Sequence, residues 1–192
     1  MIPTFSMSTA EVDKAFAHLK RVSAEMEADM KRVVTLTAQS IHREAVVNLE
    51  KNKTNVDGRL RSSLRFVPDT QGRIAASVRT DLFYAPYVEF GTKSRFARIH
   101  KKAGGGTIDP DLYAIAAQYK GSSGRGGQSL EQAIKAWAKK KGIPKDVVGA
   151  IYVSIARHGT FAQPFLYPAA KKVKPGYIKS LERIVKRYSA KP

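Results

Sequence analysis

The sequence predicts an α+β fold: a long N-terminal helix packed on a small antiparallel sheet, with an inserted loop plus helical hairpin and a C-terminal helix. Three observations carry that prediction. Residues 8–51 contain neither glycine nor proline, and apolar side chains recur there every three or four positions. Residues 64–67 and 74–80 alternate as strands do, on either side of a turn-forming stretch at 68–72. Two further helical segments then meet at Gly142-Ile143-Pro144, the mark of an αα-hairpin.

Taken in order, Ser8 and Glu11 form a capping box that opens the first helix. Its stripe is Val12, Phe16, Leu19, Val22, Met26, Met30, Val33 and Ile41. Unbroken, this helix spans roughly 60 Å at 1.5 Å per residue, more than a domain of this size needs. It is therefore expected to pack partly on its own sheet and partly on another chain. Ser23, Thr37 and Ser40 interrupt the stripe and mark places for a bend or a division. A helix solvated along its whole length is the plainer alternative, which the width of the stripe opposes. Residues 52–58 form a turn-rich break, 60–64 a short helical turn leading into the first strand, and more strands are expected than the pattern locates.

Residues 93–128 are the least regular. Glycines at 104–106 and within 121–127 read as flexible spacers, and Leu112, Ile115, Ala116 and Tyr119 hold helical spacing between them. Ser129 and Gln132 form a second capping box, opening a helix through Ile134 and Trp137 that Gly142 ends. Pro144 starts the next, with Val147, Val148, Ile151, Tyr152 and Ile155, and Gly159 closes it. Pro164 and Pro168 punctuate the return to the core. A final helix over about 177–188 carries Ile178, Leu181, Ile184 and Val185 on one face. The reading is a single domain over 1–192, its core about 8–92 and 160–190 and its insert about 93–159.

Composition bounds the function. Apolar residues at 43%, with 8 Phe, 8 Tyr and 1 Trp, suffice for a core. The net charge of +18 calls for a polyanion or an acidic protein as partner, met through fast, salt-sensitive encounter. With no cysteine there is neither a disulfide framework nor a thiolate metal site. Residues 1–7 have no charged n-region, and no apolar run approaches the ~20 residues that cross a bilayer, so neither a signal peptide nor a membrane partner is expected.

Chemistry-bearing patterns are sparse. His18, His42, His100 and His158 are isolated, without metal-ligand spacing. The first two read as surface or interface residues, His100 as part of a basic loop, and His158 as a complement to a helix C-terminal dipole. Asp109 and Asp111 flank Pro110, where helix capping competes with cation binding. Gly104-Gly105-Gly106-Thr107 lacks the Gly-Lys-Ser/Thr ending of a phosphate loop, and no Gly-x-Ser-x-Gly elbow exists. No catalytic, cofactor-binding or metal-ligating residue is assigned, no cofactor is expected, and the reading is not an enzyme. The enzymatic alternative, a metal-dependent nuclease using Asp109, Asp111 and His100, would show cation-dependent cleavage lost in Asp109→Ala. Lys93, Arg95, Arg98, Lys101, Lys102 and Arg125 are assigned as contacts to DNA or to acidic partners. Lys139, Lys140, Lys141, Lys171, Lys172, Lys174, Lys179, Arg183, Lys186, Arg187 and Lys191 could track phosphates or form a solvated face. Such contacts strengthen binding without reading bases.

The stretch Tyr84-Ala85-Pro86-Tyr87-Val88-Glu89-Phe90-Gly91-Thr92 organises the rest. Pro86 suits the start of a helix and Gly91 a left-handed close, leaving little more than one turn. So short a helix must be pinned by neighbours. Tyr84 shares a face with Val88, and Pro86 with Phe90, so an aromatic peg set into a core is expected, with Glu89 directed elsewhere. An ordinary connector helix is the plain alternative.

This stretch resembles the signature of the neck or tail-completion proteins of long-tailed bacteriophages, which join head to tail. Asp57-Gly58-Arg59-Leu60-Arg61-Ser62-Ser63-Leu64 is similar to that family's Thr-Gly-x-Leu-x-x-Ser-Ile segment, with Asp57 in place of Thr. Gln163-Pro164-Phe165-Leu166-Tyr167-Pro168-Ala169 is similar to its Pro-Phe-Leu-x-Pro-Ala segment. The three motifs in order, with a long helical segment before them, make a resemblance that covers the chain from about Ala10 to its end. The residues they mark are Gly58, Leu60, Ser63, Tyr84, Ala85, Tyr87, Val88, Glu89, Phe90, Gly91, Thr92, Pro164, Phe165, Leu166, Pro168 and Ala169. The resemblance implies a structural virion protein assembled in the host cytoplasm. It implies a ring, expected to be hexameric, between the head-completion ring and the tail terminator or tube, with genomic DNA in its channel. Ring closure needs two different patches on each subunit, expected on the long helix and on the insert at 93–128. The alternative is a sequence-nonspecific nucleic-acid-binding accessory protein.

Overall fold

The computed structural model describes residues 9–52, 58–69, 74–82, 84–103, 106–118 and 130–190. The order is α1 (Thr9–Lys51), α2 (Arg59–Ser63), β1 (Arg65–Pro68), β2 (Ala76–Arg79), α3 (Ala85–Phe90), α4 (Pro110–Gln118), α5 (Leu130–Lys140), α6 (Lys145–His158) and α7 (Leu166–Ser189), with single 3-10 turns at Lys93–Arg95 and Lys101–Ala103. Ser8, Ser129, Tyr119, Arg125 and the glycines at 104, 105 and 121–127 lie outside the described residues.

Helix α1 runs 43 residues without a division, about 64 Å at the usual rise. Ser40, expected to interrupt it, turns its hydroxyl back to donate to the Leu36 carbonyl at 2.8 Å. That bond keeps the residue within the helix rather than breaking it. Helix α7 lies antiparallel on α1: Lys172 meets Glu44 at 2.8 Å, and Arg187 meets Asp29 at 3.0 Å. Fifteen residues separate the contacts on either helix. Because α7 ends at Ser189, residues 9–28 of α1 run on past it for about 30 Å.

The sheet is a two-stranded antiparallel hairpin, with Phe66 opposite Val78 and Val67 opposite Ser77. Further strands were expected. Among the described residues there are only isolated bridges, Arg98 with Ile108 and Ile99 with Ala162.

Helix α7 begins at Leu166, eleven residues earlier than the expected 177. Pro168 falls in its first turn, where a missing N–H costs nothing. Pro175 lies inside the helix on an exposed face beside Gly176, so its lost bond frees a carbonyl to solvent.

The main core gathers Ala45 and Leu49 of α1, Leu60 and Leu64, Ala85, and Phe165 and Ala169, all at most 5% exposed. Each of the three motif segments thus contributes to one cluster. The α5–α6 hairpin closes over its own cluster of Ile134, Ala138 and Val148. His42, read as a surface or interface residue, is part-buried, and its ring nitrogen Nε2 lies 3.1 Å from the Leu64 carbonyl, tying α1 to the start of β1.

Candidate structural site: the α3–α7 junction

The expected aromatic peg is built differently. The buried residues of α3 are Ala85 and Glu89. Tyr84 and Val88 pack against the core from partly buried positions, whereas Tyr87 stands 38% exposed. Period four explains the exchange: Ala85 and Glu89 share the face turned to α7, so the carboxylate goes inward rather than elsewhere.

Glu89 is 6% exposed and the only buried charged residue among those described. Its Oε2 accepts from the N–H groups of Phe165 at 2.8 Å and Leu166 at 3.0 Å, and its Oε1 from Tyr167 at 2.7 Å. Phe165 is the N-cap of α7, without a side-chain cap of its own. A helix leaves four N–H groups without internal partners. Here they belong to Phe165, Leu166, Tyr167 and Pro168. Three go to Glu89 and the fourth does not exist, because residue 168 is proline. The Pro-Phe-Leu-x-Pro segment and the glutamate of α3 are therefore two halves of one cap. Burial pushes the Glu89 carboxyl above its ordinary range, against the three N–H groups that pull it down.

Beside this cap lies a clasp of two Gly-Thr pairs. Gly91 closes α3 with its N–H on the Tyr87 carbonyl at 3.0 Å, and Gly159 closes α6 on Ile155 at 2.8 Å. Both have positive φ (72° and 78°) with extended ψ (−171° and −168°), so Gly91 shares the positive φ but not the ψ of the expected left-handed cap. The Thr92 N–H donates to the Thr160 carbonyl at 2.9 Å, and the Thr160 N–H donates to Thr92 Oγ1 at 2.8 Å. A Cβ on Gly91 would stand 2.6 Å from the Thr160 carbonyl oxygen, and one on Gly159 would stand 2.1 Å from that of Thr92. Backbone meets backbone with no room for a methyl group.

From α1, Asn48 donates to the Phe165 carbonyl and Asn52 to the Pro164 carbonyl, each at 3.0 Å. One turn apart, they hold the segment before α7 from the other side. Asn48→Ala is expected to cost about 1 kcal/mol, the net worth of one such bond, read from the urea midpoint at unchanged slope. In the first motif, Ser63 Oγ and Thr80 Oγ1 meet at 2.6 Å, joining α2 to the end of β2. Gly58 has φ 71°, which favours glycine, and precedes α2 directly.

Lys93, Ser94 and Arg95 reach back to α6. The Lys93 ammonium donates to the Ala156 carbonyl, Ser94 Oγ to His158 at 2.9 Å, and Arg95 to Gly159 at 3.3 Å. Arg95 also lies 4.4 Å from the centre of the Phe161 ring. Cations at a helix C-terminus complement its dipole, so two residues assigned to DNA or acidic partners are engaged within the chain. Arg98, Lys101 and Lys102 remain exposed. Asp109 caps α4 by accepting from the Leu112 N–H at 3.0 Å. Asp111 instead pairs with Lys171 at 3.2 Å, and the hydrogen bond from that ammonium holds its carboxyl below the ordinary range. The Tyr167 hydroxyl lies between the two aspartates, 3.5 Å from Asp109 Oδ1 and 3.2 Å from Asp111 Oδ2. Among the described residues no group of three His, Cys, Asp or Glu is placed to hold a metal ion, and no helix is long and apolar enough to cross a membrane.

The arrangement is a helical α+β junction in which Glu89, Asn48, Asn52, Thr92 and Thr160 fix the angles between its elements. Residues 13–91 match the family model described as "Bacteriophage HK97-gp10, putative tail-component". That segment spans nearly all of α1, the β1–β2 hairpin and α3, and it contains the first motif and all of the second but Thr92. The chain is thus similar to a structural tail-component of a bacteriophage virion, consistent with the neck and tail-completion resemblance. No curated protein and no solved structure matches it.

Proposed function

We propose that this chain is a neck protein of the phage virion, forming a ring that joins the DNA-filled head to the tail and leaves a passage for DNA. The observation that carries the reading is the convergence of all three motif segments on one core, two of them also forming one cap, in a chain whose residues 13–91 match a phage tail-component family. Such a junction fixes the angle between α1 and the rest of the subunit, which is what a closed ring of identical copies requires. Two surfaces are free to meet neighbours. One is the α1 extension beyond α7. The other is the insert, where Ile108, Tyr113 and Ile115 are about half exposed. The net charge of +18 suits acidic surfaces on adjacent head-completion and tail-terminator rings, or the DNA between them.

Native mass spectrometry and electron microscopy of the protein, alone and with the products of neighbouring genes, test this. A closed ring that binds one of those products is expected. A persistent monomer that binds duplex DNA with a steep salt dependence would replace the reading with that of an accessory nucleic-acid-binding protein.

A further inference from the structure

We propose that the groove between α1, α4 and α7 receives the N-terminal arm of α1 from a second copy of this chain. The inference rests on the ring reading and names the contact that would close it. The groove is open, has a volume of about 810 Å³, and is floored by Val34, Ala38, Ile41 and Ala170, with Ile115 on one wall. Lys171, Lys174 and Asp111 also line it, with Lys171 paired to Asp111 at 3.2 Å.

The arm is residues 9–28, the part of α1 that α7 does not cover. Its sequence continues the apolar stripe through Val12, Phe16, Leu19, Val22 and Met26. It holds four acidic and three basic residues, so it is slightly negative within a chain of net charge +18. An arm of that sign suits a groove whose charged lining is net positive, with Lys174 left over from the Lys171–Asp111 pair.

Covalent continuity excludes the arm of the same copy. Val34, Ala38 and Ile41 of the groove belong to the same unbroken helix, and residues 8–51 contain no glycine or proline at which α1 could fold back. The arm points away from its own groove and can fill only another's. Arm and groove are different surfaces, so the contact is heterologous and repeats from copy to copy until it closes.

The test uses the full chain. Val22→Glu in the arm and Ile115→Glu in the groove lie at positions outside both core clusters, and each is expected to melt as the parent does. Each alone should weaken self-association at least about tenfold, as loss of an interface anchor does. Mixed together they should form dimers and stop there, because one intact arm then meets one intact groove. The chain has no cysteine, so Ser23→Cys with Ala114→Cys adds a second measurement. A short thiol crosslinker should yield a ladder of oligomers from the double variant and none from either single variant. If the parent chain forms rings while both glutamate variants also do and no ladder appears, the arm–groove contact is wrong and the ring stands. A parent chain that stays monomeric at every concentration overturns both.

Discussion

Gly159→Ala is expected to cost about 4 kcal/mol or more. Positive φ with extended ψ is open essentially to glycine alone, and placing another residue there costs about 1–3 kcal/mol. The added methyl carbon would then stand 2.1 Å from the Thr92 carbonyl oxygen, a backbone atom that cannot swing aside. Relief requires opening the clasp, with loss of the Thr92–Thr160 hydrogen bonds at about 1 kcal/mol each. A fall in melting temperature of at least about 10 °C follows for a chain of this length. Gly91→Ala is expected to act alike, with its methyl carbon 2.6 Å from the Thr160 carbonyl oxygen. The control is Gly149→Ala inside α6, where a Cβ meets nothing within 4 Å. There alanine should raise the melting temperature slightly, since glycine in a helix costs about 0.5–1 kcal/mol. Equal melting of the Gly149 and Gly159 variants would show that the clasp is not closed in solution. Under the proposed neck role, a phage carrying Gly91→Val should make heads and tails that remain unjoined, and normal plaque yield would count against that role.

Much of the fold was legible because its signals are local. The stripe of α1, the alternation around the β1–β2 turn and the Gly142–Pro144 corner of the helical hairpin each lie within a few residues of one another. What failed was punctuation read without its context. Pro168 looks like a break, yet at the fourth position of a helix start it removes an N–H that has no partner to lose. The first half of α7 was hidden for that reason. Glu89 was harder still. Its inward turn depends on backbone groups 76 to 78 positions away, and no periodicity within six residues of α3 reports that distance. The clasp did leave a trace: of the three Gly-Thr pairs, at 91–92, 106–107 and 159–160, the first and last each follow an α-helix directly. Lys93 and Arg95 were read with the basic excess because a cation that caps a neighbouring helix looks, in sequence, like any other.

Glu89→Ala should remove three charge-assisted hydrogen bonds at once. Each bond to a carboxylate is worth about 1.5–3 kcal/mol, and favourable placement at a helix N-terminus adds up to ~2 kcal/mol. Against these stands the cost of keeping a charge out of water, several kcal/mol for a buried ion. The balance favours the folded chain by about 4 kcal/mol, because alanine leaves the N–H groups of Phe165, Leu166 and Tyr167 buried without partners. Glu89→Gln separates the contributions. Its one oxygen can serve Phe165 and Leu166, but its amide then faces the Tyr167 N–H donor to donor, so a loss of about 1–3 kcal/mol is expected. The two variants also differ from the parent in their response to pH. Burial raises the folded carboxyl above its unfolded value, so in the window between the two values the folded state holds a proton that the unfolded chain has released. Stability from this group is therefore full below the unfolded value and declines as pH rises through the raised one. Urea midpoints measured from mildly acidic to neutral pH should show that decline in the parent, and neither variant should contribute it. Parallel pH profiles for the parent and Glu89→Gln would mean that burial does not raise the Glu89 carboxyl, and an unchanged urea midpoint for Glu89→Ala would mean that Glu89 does not cap α7.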